Sequence, residues 1–360
     1  MSALPPGSTI GIVGGGQLGR LLAIAAARLG YRTVILEPQR DCPAAQVANR
    51  QIVAAYDDQT ALDELSAASD IVTYEFENVP VDAAARLAVS RPVHPLPRAL
   101  EVAQDRLVEK RFLNECGIAT AEFRAVNGDA DLVEALSAFG GSGVLKTRRL
   151  GYDGKGQRVF RNAGPEQVAG AYAAMGGVPL ILESLVPFDR EISVIAARGR
   201  DGSSAAFDPA ENVHRDGILR RSIVPAEIDL VMVANAKAAA TALLDALDYV
   251  GVLGLELFVL ADGRLLANEF SPRVHNSGHW TEAACAVSQF EQHIRAVAGL
   301  PLGDPRRHSD CVMENLIGDE AGQAGTLLAE PDLVLTLYGK AETRPGRKMG
   351  HFTRLSPRRG

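Results

Sequence analysis

The segment VLGLELFVLADGRLLANEFSPR, residues 252–273, holds two carboxylates that can do chemistry together. Two apolar runs flank Asp262-Gly263, a dipeptide that favours a two-residue hairpin turn. With those residues as the turn, Ala261 faces Arg264 and Glu256 stands opposite Glu269 on one face, Cβ atoms on the order of 5 Å apart. Two carboxylates so placed repel by roughly 4 kcal/mol at ~4 Å and an effective dielectric near 20. A proton on one of them relieves this, and so does a divalent cation between them. Asn268 adds a neighbouring amide oxygen, so Glu256, Glu269 and Asn268 suit Mg²⁺ in an ATP-using site. The plainer alternative pairs one carboxylate with an arginine at a sheet edge. Phe258 and the surrounding leucines favour burial, and with it the cation. The expectation depends on register, because a slip of one residue turns a side chain to the other face.

A second group of residues suits phosphate. Lys146 lies in the strand-like run Val144–Thr147, and Gly151-Tyr152-Asp153-Gly154-Lys155-Gly156-Gln157 follows shortly after. Three glycines in so short a stretch make a hairpin whose amides can close over phosphates, against the alternative of a plain surface turn. Lys110 follows Asp105-Arg106 on a helix, where a solvated surface role is the default for a single lysine. Glu183-Ser184-Leu185-Val186 ends an apolar strand that can offer backbone groups to an adenine edge and apolar side chains to its face. Glu191, at the start of the next strand, can take ribose hydroxyls.

A third feature points elsewhere. Gly14, Gly16 and Gly19 form G-x-G-x-x-G between the first strand and the first helix, and Glu37 ends the second strand. Such a loop can hold a dinucleotide pyrophosphate at a helix N-terminus, with the acid on the ribose, as in an NAD-dependent oxidoreductase. Tight strand–helix turns also take glycine for packing alone.

The elements that must position these residues can be read from periodicity. Thr9–Val13, Thr33–Leu36, Ile52–Ala55 and Ile71–Tyr74 are β-rich. Leu18, Leu21, Leu22, Ala25 and Leu29 mark one face of a helix that Gly30 ends. This alternation predicts an α/β, Rossmann-like parallel sheet over residues 1–97, closed by the proline-rich RPVHPLP. An α+β region with mixed or antiparallel sheets is expected over 98–300, with a helix from Asp105 as N-cap to Gly117 and a long helix near Val233–Leu247. A small β-rich segment, 301–360, closes the chain.

Composition narrows the function classes. Of 360 residues, 47% are hydrophobic and 22% charged, which excludes a disordered or fibrous chain. The net charge of −7 argues against binding a nucleic-acid polymer. Residues 340–360 nevertheless carry seven Lys or Arg, either a solvated tail or a local anion site. The four cysteines are too scattered for a zinc pattern or a disulfide scaffold, so a reduced, cytoplasmic chain is expected. No signal-peptide pattern is visible, and no apolar run approaches the roughly 20 residues that would cross a membrane.

The order Lys110, Lys146, glycine loop, Glu183–Val186, Glu191, Glu256, Asn268-Glu269 resembles the ATP-grasp superfamily. More narrowly, YEFENV (74–79), QDR (104–106), GYDGKGQ (151–157), ENVHRDGILR (211–220), NEFSPRVHNSGHWT (268–281) and RPGRKMGH (344–351) resemble the N5-carboxyaminoimidazole ribonucleotide synthetase family. The resemblance implies an ATP-grasp fold between an N-terminal parallel-sheet domain and a small C-terminal β domain. It implies that ATP, bicarbonate and aminoimidazole ribonucleotide are the small-molecule partners, Mg²⁺ the cofactor, a homodimer the assembly, and a separate mutase the recipient of the product. Arg106, Lys110, Lys146, the 151–157 loop, Glu183–Val186, Glu191, His214, Asn268 and Glu269 would bind ATP, and Glu256, Glu269 and Asn268 the metal. Tyr152, Asp153, Lys155 and Arg273 would act in catalysis, Asp153 on the substrate amine and Arg273 on carboxyphosphate. Arg273 has a salt bridge to Glu269 as its plainer role, and His214 reads as a neutral hydrogen-bonding residue near the phosphates. Gly16, Gln17, Leu18, Glu75, His275 and Asn276 would contact the ribonucleotide, and Lys340, Arg347 and Lys348 would clamp its 5′-phosphate. The competing expectations are a formate-dependent glycinamide ribonucleotide transformylase of the same superfamily, the NAD-dependent oxidoreductase, and a non-catalytic ATP sensor.

Overall fold

A computed structural model of the chain describes residues 2–151 and 156–359. Its first part runs β1 (Thr9–Val13), α1 (Gln17–Arg28), β2 (Arg32–Leu36), β3 (Arg50–Ile52), α2 (Gln59–Ala68), β4 (Ile71–Tyr74) and α3 (Val81–Ser90). The strands pair in parallel in the order β3-β2-β1-β4, the arrangement that crossover connections impose. Leu18, Leu21, Leu22 and Ala25 bury one face of α1, and Gly30, at φ +81°, makes the left-handed turn that follows it. The third strand lies at Arg50–Ile52 rather than at Ile52–Ala55. The chain leaves the sheet there to reach Asp58, which caps α2 by accepting from the Ala61 amide at 3.0 Å.

Helices α4 (Pro97–Ala103) and α5 (Arg106–Glu115) lead into β5 (Phe123–Val126), β6 (Gly143–Thr147), β7 (Gln157–Phe160) and β8 (Leu180–Ser184). These four form an antiparallel sheet in the order β5-β8-β6-β7, backed by the helix Asp129–Ala138.

The remaining strands build one large antiparallel sheet. They are β9 (Phe188–Arg198), β10 (Ser204–Ala206), β11 (Ala210–Arg215), β12 (Ile218–Val224), β13 (Gly251–Leu260), β14 (Leu265–Ser271), β15 (Ser309–Ile317), β16 (Leu333–Leu337) and β17 (Lys348–Pro357). Among the described residues the order is β14-β13-β9-β11-β12-β15-β17-β16, with β10 on β9. The C-terminal strands therefore extend the central sheet through the β12–β15 pairing, and of the basic end of the chain Lys348 and Arg354 lie in β17. The helix Leu230–Ala246 packs against β9 and β13. A shared core joins Ile10 and Leu22 of the first sheet layer to Val252, Met313 and Tyr338. Among the described residues no helix is long and apolar enough to cross a membrane, and all four cysteines are free.

Two Asp-Gly pairs behave differently. Asp216 (φ +52°) and Gly217 (φ +76°) make a two-residue turn, with Arg215 paired to Ile218. At Asp262-Gly263 the turn takes three residues, closed by Leu260 N to Arg264 O and Gly263 N to Leu260 O, both 2.9 Å, with Gly263 at φ +82°. The pairing then runs Val259–Leu265, Phe258–Leu266 and Leu257–Ala267. A β-bulge takes up Asn268, and beyond it Glu256 faces Glu269. The expected two-residue turn is thus corrected, while the facing carboxylates are retained because the bulge restores the register.

Candidate active site

The QDR tripeptide ties three parts of the molecule together. Gln104 donates to the carbonyls of Glu77 (2.9 Å) and Val79 (2.7 Å). Asp105 caps α5 through the Leu107 amide at 3.0 Å and takes a two-pronged bond from Arg148, at 2.9 and 2.7 Å. Arg106 donates to Glu269 at 2.6 Å. Burial alone would raise the pKa of Glu269, but Arg106 holds its carboxyl well below the usual range. Glu256 is 3.0 Å from Nε2 of His275, whose Nδ1 is 2.8 Å from the Ser277 hydroxyl. Gly254 makes room for that histidine, since a Cβ there would come within 2.8 Å of the His275 Cβ. The arginine pairing and the facing carboxylates therefore coexist. For a cation, the donors fit: two carboxylates, and the buried Oδ1 of Asn268, which lacks a hydrogen-bond partner among the described residues, are hard oxygen ligands.

Lys110 is not a surface lysine. It is 0% exposed, with Nζ 2.8 Å from the Asn268 carbonyl and 3.1 Å from Oε2 of Glu183. The same oxygen lies 3.0 Å from Nζ of Lys146. Burial pushes the Glu183 pKa up, yet the two ammonium groups outweigh it and hold the group at about 2. Burial pulls the Lys146 ammonium pKa down despite Glu183. Glu183 and Lys110 thus sit behind the wall of the site, and Lys146 stands in it.

That wall encloses a cavity of about 440 Å³. Arg106, Lys146, Gly151, Gln157, Glu191, His214, Glu256, Asn268 and Glu269 all contribute to it, as do Arg273, His275, Asn276, Lys348, Gln17 and Leu18. Its apolar surface comes from Val144, Val159, Leu219 and Phe258, residues whose site role the strand pattern did not reveal because alternating apolar residues serve a core equally well. Ser184, Leu185 and Val186 are not in this lining; the Ser184 amide already donates to the Glu122 carbonyl at 2.8 Å. Nδ1 of His214 is 2.7 Å from Oε2 of Glu191, an ion-pair contact not aligned as a hydrogen bond. Burial opposes charge on His214, but Glu191 and Glu256 outweigh it and raise its pKa. Arg273 pairs with Glu77 rather than with Glu269, because Arg106 already occupies that carboxylate. Glu77 stands inside YEFENV, but nothing in its local sequence points to a partner so distant in the chain. Both amide atoms of Asn276 are buried without a partner among the described residues.

The glycine loop receives a carboxylate of its own chain. Oε1 and Oε2 of Glu75 accept from the amides of Gly16 (2.5 Å) and Gly19 (2.6 Å). A Cβ on Gly14 would lie 2.3 Å from Glu75 Cγ, and one on Gly16 would lie 2.6 Å from Glu75 Oε1. Glu37 accepts from the Gly15 amide at 2.9 Å and from the Tyr56 hydroxyl. The anion position at the α1 N-terminus is therefore filled internally, and both acids are engaged, which removes the basis for a dinucleotide site there. Beside it is a recess of about 290 Å³ lined by Gly16, Gln17, Glu75, Tyr56, Lys340 and Arg347. Lys340 Nζ is 2.7 Å from the Lys348 carbonyl, so the two basic residues are linked although Lys348 itself faces the larger cavity.

Tyr152, Asp153, Gly154 and Lys155 lie outside the described residues. At the loop's far edge Gly156, at φ +71°, accepts from the Thr147 amide at 2.9 Å, and at its near edge the Gly151 carbonyl is 3.4 Å from Nη2 of Arg106.

Comparison with known proteins identifies the family. Residues 8–104 match the ribonucleotide synthetase preATP-grasp domain, residues 111–290 the ATP-grasp domain, and residues 311–359 the phosphoribosylaminoimidazole carboxylase C-terminal domain. The chain is 66% identical over 357 residues to N5-carboxyaminoimidazole ribonucleotide synthase of Brucella melitensis, covering 99% of each. It superposes on the Staphylococcus aureus N5-carboxyaminoimidazole synthetase complexed with ADP with a TM-score of 0.93, at 36% identity, covering 99% of this chain and 95% of the other. The Aspergillus clavatus synthase in complex with ADP and 5-aminoimidazole ribonucleotide superposes with a TM-score of 0.91, at 30% identity, covering 98% and 94%. The chain belongs to the N5-carboxyaminoimidazole ribonucleotide synthetase family of ATP-grasp enzymes.

Proposed function

We propose that the chain catalyses the ATP-dependent carboxylation of 5-aminoimidazole ribonucleotide by bicarbonate, forming N5-carboxyaminoimidazole ribonucleotide, ADP and phosphate in purine biosynthesis. The observation that carries this is the position of Gln17, which lines both the central cavity and the basic recess. A nucleotide beside Lys146 and Glu269 and a phosphorylated ribonucleotide held at Lys340 and Arg347 would meet there.

Bicarbonate is a poor electrophile. One of its oxygens attacks the γ-phosphorus of ATP, the bond to the β–γ bridging oxygen breaks, and ADP leaves, giving carboxyphosphate. The exocyclic amine then bonds to the carboxyl carbon, either of carboxyphosphate or of CO₂ formed from it in the closed cavity. The carbon–oxygen bond to phosphate breaks, phosphate departs, and the amine loses one proton. Protein groups contribute positioning and charge neutralisation. Lys146 and Arg106 face the transferred phosphoryl group, and Arg273, oriented by Glu77, stands ready for carboxyphosphate. Mg²⁺ held by Glu256, Glu269 and Asn268 would neutralise phosphate oxygens. Asp153 is the acceptor for the amine proton, with Tyr152 and Lys155 beside it in sequence. We read the protein as a cytoplasmic homodimer that passes its unstable carbamate to a separate mutase.

An assay of ADP release tests the reading. Release that requires bicarbonate and rises on addition of 5-aminoimidazole ribonucleotide is expected. Release that depends instead on formate and glycinamide ribonucleotide overturns it.

A further inference from the structure

Among the described residues β14 is an edge strand of the large sheet. On its outward side the Ala267 amide donates to the Ala119 carbonyl at 2.7 Å, and no named strand pairs with the residues that follow. One face of α5 supplies partners instead. Arg106, Glu109 and Lys110 stand at i, i+3 and i+4 and therefore lie side by side. Each holds one of three consecutive residues. Lys110 donates to the Asn268 carbonyl at 2.8 Å, Arg106 donates to the Glu269 carboxylate at 2.6 Å, and the Phe270 amide donates to Oε1 of Glu109 at 2.7 Å. These contacts span the bulge that brings Glu269 opposite Glu256. A bulge on an edge strand can migrate, and a shift of one residue would move the Glu269 side chain to the opposite face. Arg106 and Lys110 belong to the nucleotide site and its supporting ion pair. Glu109 lines neither the central cavity nor the basic recess, is 2% exposed, and takes no part in the chemistry above.

We propose that Glu109 is a positioning residue: by accepting the Phe270 amide it pins the register of β14 at the Asn268 bulge, so that Asn268 and Glu269 present their oxygens beside Glu256 to the nucleotide-bound cation. This rests on the reading of those three residues as the Mg²⁺ site.

Glu109→Leu removes the acceptor at similar volume, whereas Glu109→Gln retains an oxygen that the Phe270 amide can reach. ADP affinity of the full chain is measured by titration calorimetry with Mg²⁺ and with EDTA, without turnover, beside the thermal midpoint. In E109L the strengthening of ADP binding by Mg²⁺ falls by up to about tenfold, the upper end of the net worth of one intramolecular hydrogen bond. Its affinity in EDTA stays within about twofold, a split that general destabilisation would not produce, and E109Q keeps the strengthening. A folded E109L with undiminished strengthening overturns the proposal, and so does an equal loss in E109Q and E109L. Where E109L does not fold, Glu109→Asp decides, because its carboxylate is one methylene short of Phe270: a reduced strengthening supports the proposal and an undiminished one overturns it. If the unsubstituted protein shows no Mg²⁺ strengthening, the cation site itself is refuted and this role with it. If it does and the variants match it, only the role of Glu109 falls.

Discussion

Lys110 and Glu183 form a buried ion pair, Nζ 3.1 Å from Oε2, and the same carboxylate oxygen is 3.0 Å from Lys146. One carboxylate thus neutralises two ammonium groups, one fully buried and one facing the cavity. This arrangement keeps a positive charge at the wall without stranding another behind it.

Glu183→Gln should therefore be among the most damaging single changes in the chain. It leaves Lys110 buried without a counter-charge, and breaking such a pair costs about 3–5 kcal/mol. Urea unfolding at pH 7 measures this. The pH dependence follows in sign: the folded-state pKa is about 2 against an ordinary 4.5, so the stabilisation is full above about 4.5 and is lost as pH falls toward 2. The stability gap between the parent and E183Q should narrow with acidification. A gap that does not change with pH would contradict the assignment.

Glu269→Gln removes one of the two facing carboxylates while keeping its shape. ADP formation in the presence of Mg²⁺ should fall on the order of a hundredfold or more, as for loss of one group stabilising transferred charge. Steady-state ADP release reads this directly. Near-normal turnover would place the cation elsewhere.

Arg347 lines the basic recess and not the central cavity. Arg347→Ala should raise the KM for aminoimidazole ribonucleotide by roughly ten- to a hundredfold, the range for a lost charge-assisted bond. ADP affinity should stay within about twofold. A variant that loses ADP affinity instead would move the 5′-phosphate out of the recess.

Gly16→Ala tests why the glycine loop is glycine-rich. The added Cβ would stand 2.6 Å from Oε1 of Glu75, a carboxylate tied to two amides. The free protein should lose about 1–3 kcal/mol. Combining it with Glu75→Ala should destabilise by less than the sum of the two single changes, because they act on one contact. If the glycine served only to admit a ligand, the free protein's stability would not change.

Much of the architecture was legible because its causes are local. Asp105 caps α5 and Gly30 closes α1, since a capping carboxylate and a left-handed turn act within a few residues. The strand–helix alternation of the first part imposes a parallel sheet. The hairpin shows where local reasoning ends. An Asp-Gly pair closes a two-residue turn at 216–217 and a three-residue turn at 261–263. The facing of Glu256 and Glu269 was reached from sequence because the extra turn residue is offset by the bulge at Asn268. What pins that bulge, α5 against the sheet edge, is a contact between residues 158 positions or more apart.

By itself the sequence determined the order of the elements, the family they resemble and which residues are candidates for chemistry, because residue type and short-range spacing encode these. The tertiary structure alone decided the partners. Lys110 is buried rather than solvated, Arg273 belongs to Glu77, Glu75 fills the anion site of its own glycine loop, and the basic end of the chain meets that loop across the recess. Each depends on the distance between charges brought together by packing. Coulomb and desolvation energies follow that distance and the surrounding dielectric, neither of which is set by position along the chain.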